Sequence, residues 1–275
     1  RKESSAASDV YKRQKEHMPF FKPGHVEELQ KKVSIKVTEL LDAIAPMGEC
    51  NLVHHVSQQL PIFTLSEILG IPEGDRQKLV SWMEFLELAQ YFTYEMIKEQ
   101  NEGKTDSTPD PAMIEMFNAM VDEMFDYGRF ILKEKRKNPS DDLLSAIANA
   151  EIEGEKLTDE FLDGSWLLII FAGNDTTRNT MSGGIKLLHE NQRQKELLMQ
   201  DTALLPNFIH ETIRCVSPVI HMRRTSLEET EISGQRIGPF EKISLWYGAA
   251  NRDPDIFENP NAVSYTHLTL PTTPY

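Results

Sequence analysis

The stretch TDEFLDGSWLLIIFAGNDTT, residues 158–177, decides the fold. Thr158 is a typical helix N-cap and two acidic residues follow it, so we expect a long helix to begin here and to run towards His189. Between Phe161 and Phe171 this helix is apolar on every side. Such a pattern predicts a helix that runs through the middle of the domain rather than along its surface.

Four polar side chains interrupt the apolar helix: Asn174, Asp175, Thr176 and Thr177. An unpartnered polar group costs a few kcal/mol inside a core, so these residues need a purpose. Gly173 would let a large neighbour approach the backbone, and Thr176 can bond back towards the Ala172 carbonyl, which tends to bend a helix. An acid and a hydroxyl at such a site suit a proton relay beside a buried cofactor. A structural polar network between helices would use the same residues, and the chemistry alone leaves both interpretations open.

Most of the remaining chain also has helical periodicity, at about residues 23–46, 52–69, 72–98, 113–137, 139–150 and 203–216. The polar segment from Gln100 to Pro111 interrupts this pattern and suggests a lid or a mobile insert. The methionine-rich face of the helix after it favours core packing over a ligand wall. From His221 the pattern changes to short strands, with a hairpin at 230–237 and a further strand at 243–246. We therefore expect a mainly α fold, an α-rich α+β domain.

Composition and charge exclude several classes of partner. The chain has 275 residues, 40% of them apolar, and a formal net charge of −14, which disfavours nucleic acid and anionic membranes. The longest apolar run, 166–172, is too short to span a membrane, and no secretory segment opens the chain, so we expect a cytoplasmic protein. Cys50 and Cys215 have no paired spacing, and the neighbours His54 and His55 would point apart on a helix, so no metal site is expected.

Both ends of the chain differ in character from the rest. Residues 1–14 and 264–275 show no periodicity and look like translated adapter sequence, which leaves 15–263 as the globular part. Native disordered tails are the alternative.

The run from Ala172 to Thr177 resembles the oxygen-binding motif of the central helix in the cytochrome P450 family, and it matches that motif at every position. The resemblance implies that Asp175 relays protons from solvent and that Thr176 hydrogen-bonds dioxygen at the haem iron. It also implies a group of residues that lie against the haem or the substrate: Ala172, Gly173 and Thr177 for the cofactor, and Leu168 and Phe171 for the substrate.

A second motif, Glu211-Thr212-Ile213-Arg214, is weak by itself because such pairs occur on many helices. In the family a Glu and an Arg at this spacing form a structural pair on the proximal side of the haem. Arg224 matches the arginine that binds a haem propionate, with the adjacent Arg223 as the alternative. The same comparison implies that Val219 and Ile220 face the substrate.

A third stretch, residues 250–260, resembles the segment that precedes the haem-ligand loop. That loop, with its iron-ligating cysteine, is absent from the sequence, and neither Cys50 nor Cys215 lies in a glycine-rich loop that could replace it. The third partner of the Glu211 and Arg214 network is also expected to lie beyond the point at which the sequence is cut off. We therefore expect this chain to bind haem b weakly or not at all, and the activity to belong to a longer parent.

The amino-acid sequence of residues 173–184 resembles that of bacterial family members that hydroxylate alkanes and fatty acids. Bacterial steroid and terpene hydroxylases share much of this sequence. The resemblance implies an apolar substrate and electrons from a ferredoxin and its reductase. Two other functions remain as alternatives. A terpene-cyclase-like lyase needs clustered carboxylates for magnesium, whereas Asp142 is followed by Leu143 rather than by a third acid. A haem-free helical interaction protein would have no use for Asp175 or Thr176.

Overall fold

The computed structural model describes residues 18–101, 111–152 and 154–268. The α-helices in these ranges are α1 (Pro23–Ile44), α2 (Gln59–Leu69), α3 (Arg76–Asn101), α4 (Pro111–Lys137), α5 (Leu143–Asn149), α6 (Asp159–Glu190), α7 (Gln192–Gln200), α8 (Leu205–Val216) and α9 (Tyr247–Ala250). The strands are β1 (Glu151–Ile152), β2 (Glu155–Lys156), β3 (His221–Thr225), β4 (Thr230–Ile232), β5 (Gln235–Ile237) and β6 (Lys242–Trp246). The predicted mainly α fold is confirmed. Most of the proposed lid, residues 102–110, lies outside the described residues.

Short helical turns extend several of these elements. Met18–Phe21 precedes α1, Ala45–Met47 follows it, a π-helical turn at Val53–Ser57 leads into α2, and Glu73–Asp75 precedes α3. The chain divides into two compact units, with Asn174 the last residue of the first and Asp175 the first residue of the second.

The core of the first unit is built around aromatic side chains. The ring centroid of Trp82 lies 5.4 Å from that of Tyr127 and 6.4 Å from that of Trp166. The Trp166 indole Nε1 donates a 3.0 Å hydrogen bond to the Met124 carbonyl, which fixes α6 against α4. Gly128 makes this approach possible, because a Cβ there would lie 2.5 Å from the Trp166 ring.

Capping residues determine where two helices of the first unit end or begin. Helix α2 ends at Gly70, which adopts the left-handed conformation at φ 65°. Helix α5 begins after Asp142, whose Oδ1 accepts a 2.8 Å hydrogen bond from the Ser145 amide. Asp142 is the residue with extended backbone and an oxygen in reach of the first helical turn.

Helix α6 begins at Asp159 as predicted, but the expectation of burial on every side is wrong for the described residues. One stripe at four-residue spacing is buried, formed by Leu162, Trp166, Ile170 and Asn174. Leu168, on another side of the helix, is 67% exposed. Leu167 and Ile169, on either side of this stripe, are partly buried against the same core.

The methionine-rich face of α4 is only partly in the core. Met124 is 2% exposed, whereas Met116 is 50% and Phe117 is 39% exposed. Core packing therefore explains the C-terminal half of this helix.

The second unit combines α7, α8 and α9 with two antiparallel strand pairs. Strand β3 pairs with β6 from His221 opposite Trp246 to Thr225 opposite Lys242. Strands β4 and β5 form the predicted hairpin, whose turn residues Ser233 and Gly234 have φ values of 51° and 80°. Within the three described ranges, no helix combines the length and the apolar character that a membrane crossing requires.

Candidate functional site

The polar break of α6 lies inside one uninterrupted helix. Successive residues of a helix point about 100° apart, so Asn174 and Asp175 project in different directions. Asn174 is only 1% exposed, whereas Ala172 and Thr177 are exposed. The break therefore has one deeply buried polar member, and its other side chains are at least partly open.

Gly173 has a packing role that the structure makes explicit. The Cδ1 atom of Leu65, on α2, lies 2.8 Å from the position that a Cβ of residue 173 would occupy. The large neighbour that the sequence led us to expect at Gly173 is thus a leucine of the first unit.

Asp175 forms an ion pair with Arg178, one turn further along α6. Arg178 Nη2 lies 2.6 Å from Asp175 Oδ1, and the two side chains are 12% and 47% exposed. Burial lowers the pKa of Arg178. The pair places a carboxylate at the border of solvent and holds it with a guanidinium that is largely buried. The sequence analysis missed Arg178, although its i,i+3 spacing from Asp175 is a signal for such a pair.

The pair Glu211 and Arg214 is almost completely buried on α8. Two parallel hydrogen bonds of 2.8 Å join the guanidinium to the carboxylate, and the side chains are 1% and 2% exposed. Burial alone would raise the pKa of the Glu211 carboxyl. Hydrogen bonds from Arg214, from the Ser264 amide and with His267 outweigh burial and hold this pKa below its usual value. Glu211 is therefore a buried carboxylate that keeps its charge.

Arg214 also ties α8 to the segment that follows α9. Its guanidinium donates to the carbonyls of Asn251 and Pro260, both at 2.7 Å, and to that of Ala262 at 2.9 Å. His267 Nδ1 lies 2.7 Å from Glu211 Oε1. The sequence could not have named the three carbonyl partners of Arg214, because backbone carbonyls carry no residue-type signal.

Residues 264–268 pack against other residues of the second unit, to which they belong. Tyr265 is 7% exposed, and its hydroxyl donates a 2.9 Å hydrogen bond to the Gln194 carbonyl. Asn207 Nδ2 donates to the Tyr265 carbonyl at 2.9 Å. The proposed boundary between globular chain and non-native tail, at 263 and 264, stays a prediction.

The other candidate residues lie on more open surfaces. Arg224 is exposed on β3, and its Nη1 donates a 2.9 Å hydrogen bond to the Arg223 carbonyl. Ile220 is 61% exposed and Val219 is half-buried. Leu168 and the half-buried Phe171 belong to the first unit, whereas Val219 and Ile220 belong to the second.

The two cysteines differ in environment. Cys50 is exposed. Cys215 is partly buried, and its Sγ lies 3.3 Å from Arg214 Nη2 and 3.9 Å from Glu211 Oε1. Burial and the nearby Glu211 charge raise the pKa of the Cys215 thiol. Cys215 is thus a protonated neighbour of the ion pair rather than a thiolate directed at a ligand.

A family model decides the identification. The cytochrome P450 model matches residues 104–269, a range that contains both the polar break of α6 and the ion pair of α8. The chain belongs to the cytochrome P450 family.

Curated relatives from bacteria share about a third of the residues. Linalool 8-monooxygenase of Pseudomonas putida is 31% identical over 250 residues, which are 90% of this chain and 57% of that enzyme. Steroid C26-monooxygenase of Mycolicibacterium smegmatis is 31% identical over 81% of this chain and 52% of that enzyme. The chain thus spans little more than half the length of these P450 relatives.

Solved P450 structures have the same fold. A Mycobacterium marinum cytochrome P450 in complex with pseudoionone aligns with a TM-score of 0.81 and 28% identity, over 96% of this chain and 61% of that one. A Bacillus megaterium P450 in complex with testosterone aligns with a TM-score of 0.78 and 27% identity, over 96% and 66%. These comparisons do not support the lyase or the interaction protein as alternatives.

Cytochrome P450 proteins bind haem, and the residues present here supply only part of a haem site. Neither thiol suits an axial ligand to iron, since Cys215 is packed against Arg214 and Glu211, and neither Cys215 nor Cys50 lies in a glycine-rich loop. The described residues of this chain therefore do not fit haem as a complete site.

Proposed function

We propose that the full-length protein that carries this chain is a haem-dependent monooxygenase that hydroxylates an apolar substrate with O2. The observation that carries this proposal is the half-exposed Asp175 carboxylate, which Arg178 holds beside Thr176 inside the helical stretch that matches the family motif. Membership of the cytochrome P450 family supports it. The 275-residue chain alone is inactive under this proposal, because it supplies no thiolate ligand.

The substrate is an apolar molecule such as an alkane, a fatty acid, a terpenoid or a steroid. Relatives with names in three of these classes support this choice: linalool 8-monooxygenase, steroid C26-monooxygenase and methyl-branched lipid omega-hydroxylase. The residues proposed to line the substrate pocket are apolar, as such a substrate requires: Leu168, Phe171, Val219 and Ile220.

Under this proposal the protein is cytoplasmic and receives its electrons from a ferredoxin and its reductase, as its resemblance to bacterial members of the family implies. Arg224, with its exposed guanidinium on β3, binds a haem propionate, for which a two-pronged cation is suited. Ala172, Gly173 and Thr177 lie against the cofactor. Glu211 and Arg214 hold the scaffold of the second unit.

Asp175 and Thr176 relay protons from solvent. A carboxylate at the border of solvent can exchange protons with bulk water and pass them to a neighbouring hydroxyl. The ion pair with Arg178 keeps Asp175 in one place between transfers, and it must open when the carboxylate takes up a proton. Arg178 therefore acts as a positioning residue for Asp175.

The test is the coupling of electron consumption to product in the full-length protein. Asp175→Ala and Thr176→Ala should each lower the product formed per NADH by about tenfold or more, while oxygen consumption continues. Asp163→Ala is the matched control, because Asp163 lies on the same helix and pairs with Arg129 at 2.7 Å. Coupling in the Asp175 variant equal to that of the Asp163 variant would refute the proton-relay assignment.

A further inference from the structure

Asn174 is a buried amide on α6. Its side chain is 1% exposed, and neither Nδ2 nor Oδ1 has a hydrogen-bond partner among the described residues. The residue continues the buried stripe of Leu162, Trp166 and Ile170 at four-residue spacing, so it faces the core of the first unit.

An unsatisfied amide at this place is costly. An Asn side chain has two donors and an acceptor with two lone pairs, and leaving a buried polar group unpaired costs about 1–3 kcal/mol. A leucine would continue the apolar stripe of α6 without that cost. The amide is therefore expected to bind a ligand that the described residues do not supply.

Water is the small ligand that can both donate to Oδ1 and accept from Nδ2. Internal waters bond to otherwise unsatisfied polar groups and make about three hydrogen bonds each. A second buried polar group without a hydrogen-bond partner lies on the neighbouring helix. Ser66 is fully buried on α2, and its Oγ has no partner among the described residues. Ser66 and Asn174 directly follow Leu65 and Gly173, which lie close together where α2 approaches α6.

We propose that Asn174 anchors an internal water-binding site on the core side of α6, and that the bound water fixes the helical turn that carries Asp175 and Thr176. The second part rests on the proposed function. Asn174 is a positioning residue in this arrangement. Its water lies on the inner side of the helix, away from the half-exposed Asp175 carboxylate.

A crystal structure of the full-length protein tests the site directly. We expect ordered water within about 2.7–3.2 Å of Asn174 Oδ1 or Nδ2, bonded in turn to a second buried polar group. Direct hydrogen bonds from both amide atoms to protein atoms, or an amide without any water, would overturn the proposal.

Two substitutions separate water binding from simple core packing. Asn174→Leu fills the space and expels the water, whereas Asn174→Ala leaves room for it. We expect the leucine variant to keep the wild-type melting temperature and to lose about tenfold in product per NADH, because the turn is no longer held in register. The alanine variant should lose melting temperature through its cavity and keep more of the coupling. The opposite order of coupling, or full coupling with leucine, would contradict the proposal.

Asn149→Leu is the matched control. Asn149 lies in the same unit, but its amide already donates to the carbonyls of Lys135 and Ser145 at 3.2 and 2.9 Å. Its substitution should lower the melting temperature and leave coupling unchanged. Asp175→Asn, measured in parallel, distinguishes failure of the proton-relay proposal from failure of the water-site proposal. If it leaves coupling intact, the proton relay of the proposed function is wrong, and the water site is then judged from the crystal structure and the order of melting temperatures.

Discussion

The ion pair of Glu211 and Arg214 shows how much a buried charge depends on its surroundings. Removing two charges from water is expensive, and the attraction between them repays that cost only when the remaining hydrogen-bonding groups are also satisfied. Arg214 meets this condition through three backbone carbonyls, and Glu211 through the Ser264 amide and His267. The pair therefore holds a polypeptide segment in place as well as balancing charge.

Glu211→Gln should destabilise the second unit by about 3–5 kcal/mol, because it leaves the Arg214 guanidinium buried without a counter-charge. Urea denaturation, followed by circular dichroism, measures the loss. Arg236→Gln is the control, since Arg236 and Glu229 form an exposed pair at 2.7 Å that should contribute almost nothing. Equal effects of the two substitutions would show that the buried pair is not structural.

Thiol reactivity should distinguish the two cysteines. The thiolate is the reactive form, and burial raises the pKa of the Cys215 thiol. In the native chain at neutral pH, Cys50 should react with a disulfide reagent first and Cys215 only slowly, and Cys50→Ser should remove the fast phase. Two phases of equal rate would mean that Cys215 is not protected.

At the level of whole elements, one close contact sets the position of α6. The Trp166 indole covers Gly128 on α4, and its Nε1 bonds to the Met124 carbonyl. Gly128→Ala should therefore destabilise the first unit by about 1–3 kcal/mol, because a rigid ring must move. On α6, a Cβ added at Gly164 would lie in open space, so Gly164→Ala should stabilise the same unit by about 0.5–1 kcal/mol. Melting temperatures that shift in the same direction would contradict this packing.

The ends of helices and the positions of turns follow from local sequence, whereas the burial of a helix's side chains does not. Capping and glycine signals correctly predicted the start of α6, the end of α2 at Gly70 and the hairpin turn at Gly234. These signals act within a few residues of the chain, so a single sequence contains them. The direction in which α6 buries its side chains depends on distant helices, and for that reason the sequence predicted burial around Leu168 that the described residues do not show.

At the scale of the whole molecule, the order of three motifs was enough to predict the family and its mainly α fold. The same motifs named Asp175, Glu211 and Arg214, because these residues stand at positions of the family pattern that the sequence resembles. They did not reveal that the buried Asn174 amide has no partner in the part of the chain that the structure describes, nor that Arg178 holds Asp175. Both facts depend on which side of a helix meets another element.

Acidification tests the charges of both units together. Hydrogen bonds to charged partners lower the pKa values of three carboxyls: Glu67 and Asp75 in the first unit and Glu211 in the second. A carboxyl whose pKa is lower in the folded than in the unfolded state stabilises the fold at pH values above its pKa in the unfolded state. That contribution is lost as the pH falls through the folded pKa. The free energy of unfolding should therefore fall as the pH drops below about 4.5, the ordinary value for Glu.

The net charge of −14 acts in the opposite direction, because protonation of exposed carboxylates relieves their mutual repulsion. Salt separates the two effects. At about 1 M salt the screening length is about 3 Å, so surface repulsion nearly vanishes, while the buried Glu211 pair is little affected. Urea denaturation between pH 7 and pH 3 should show the decline at both low and high salt, and Glu211→Gln should make it shallower. A rise in stability on acidification at high salt would mean that the buried carboxylates are not held in their charged form.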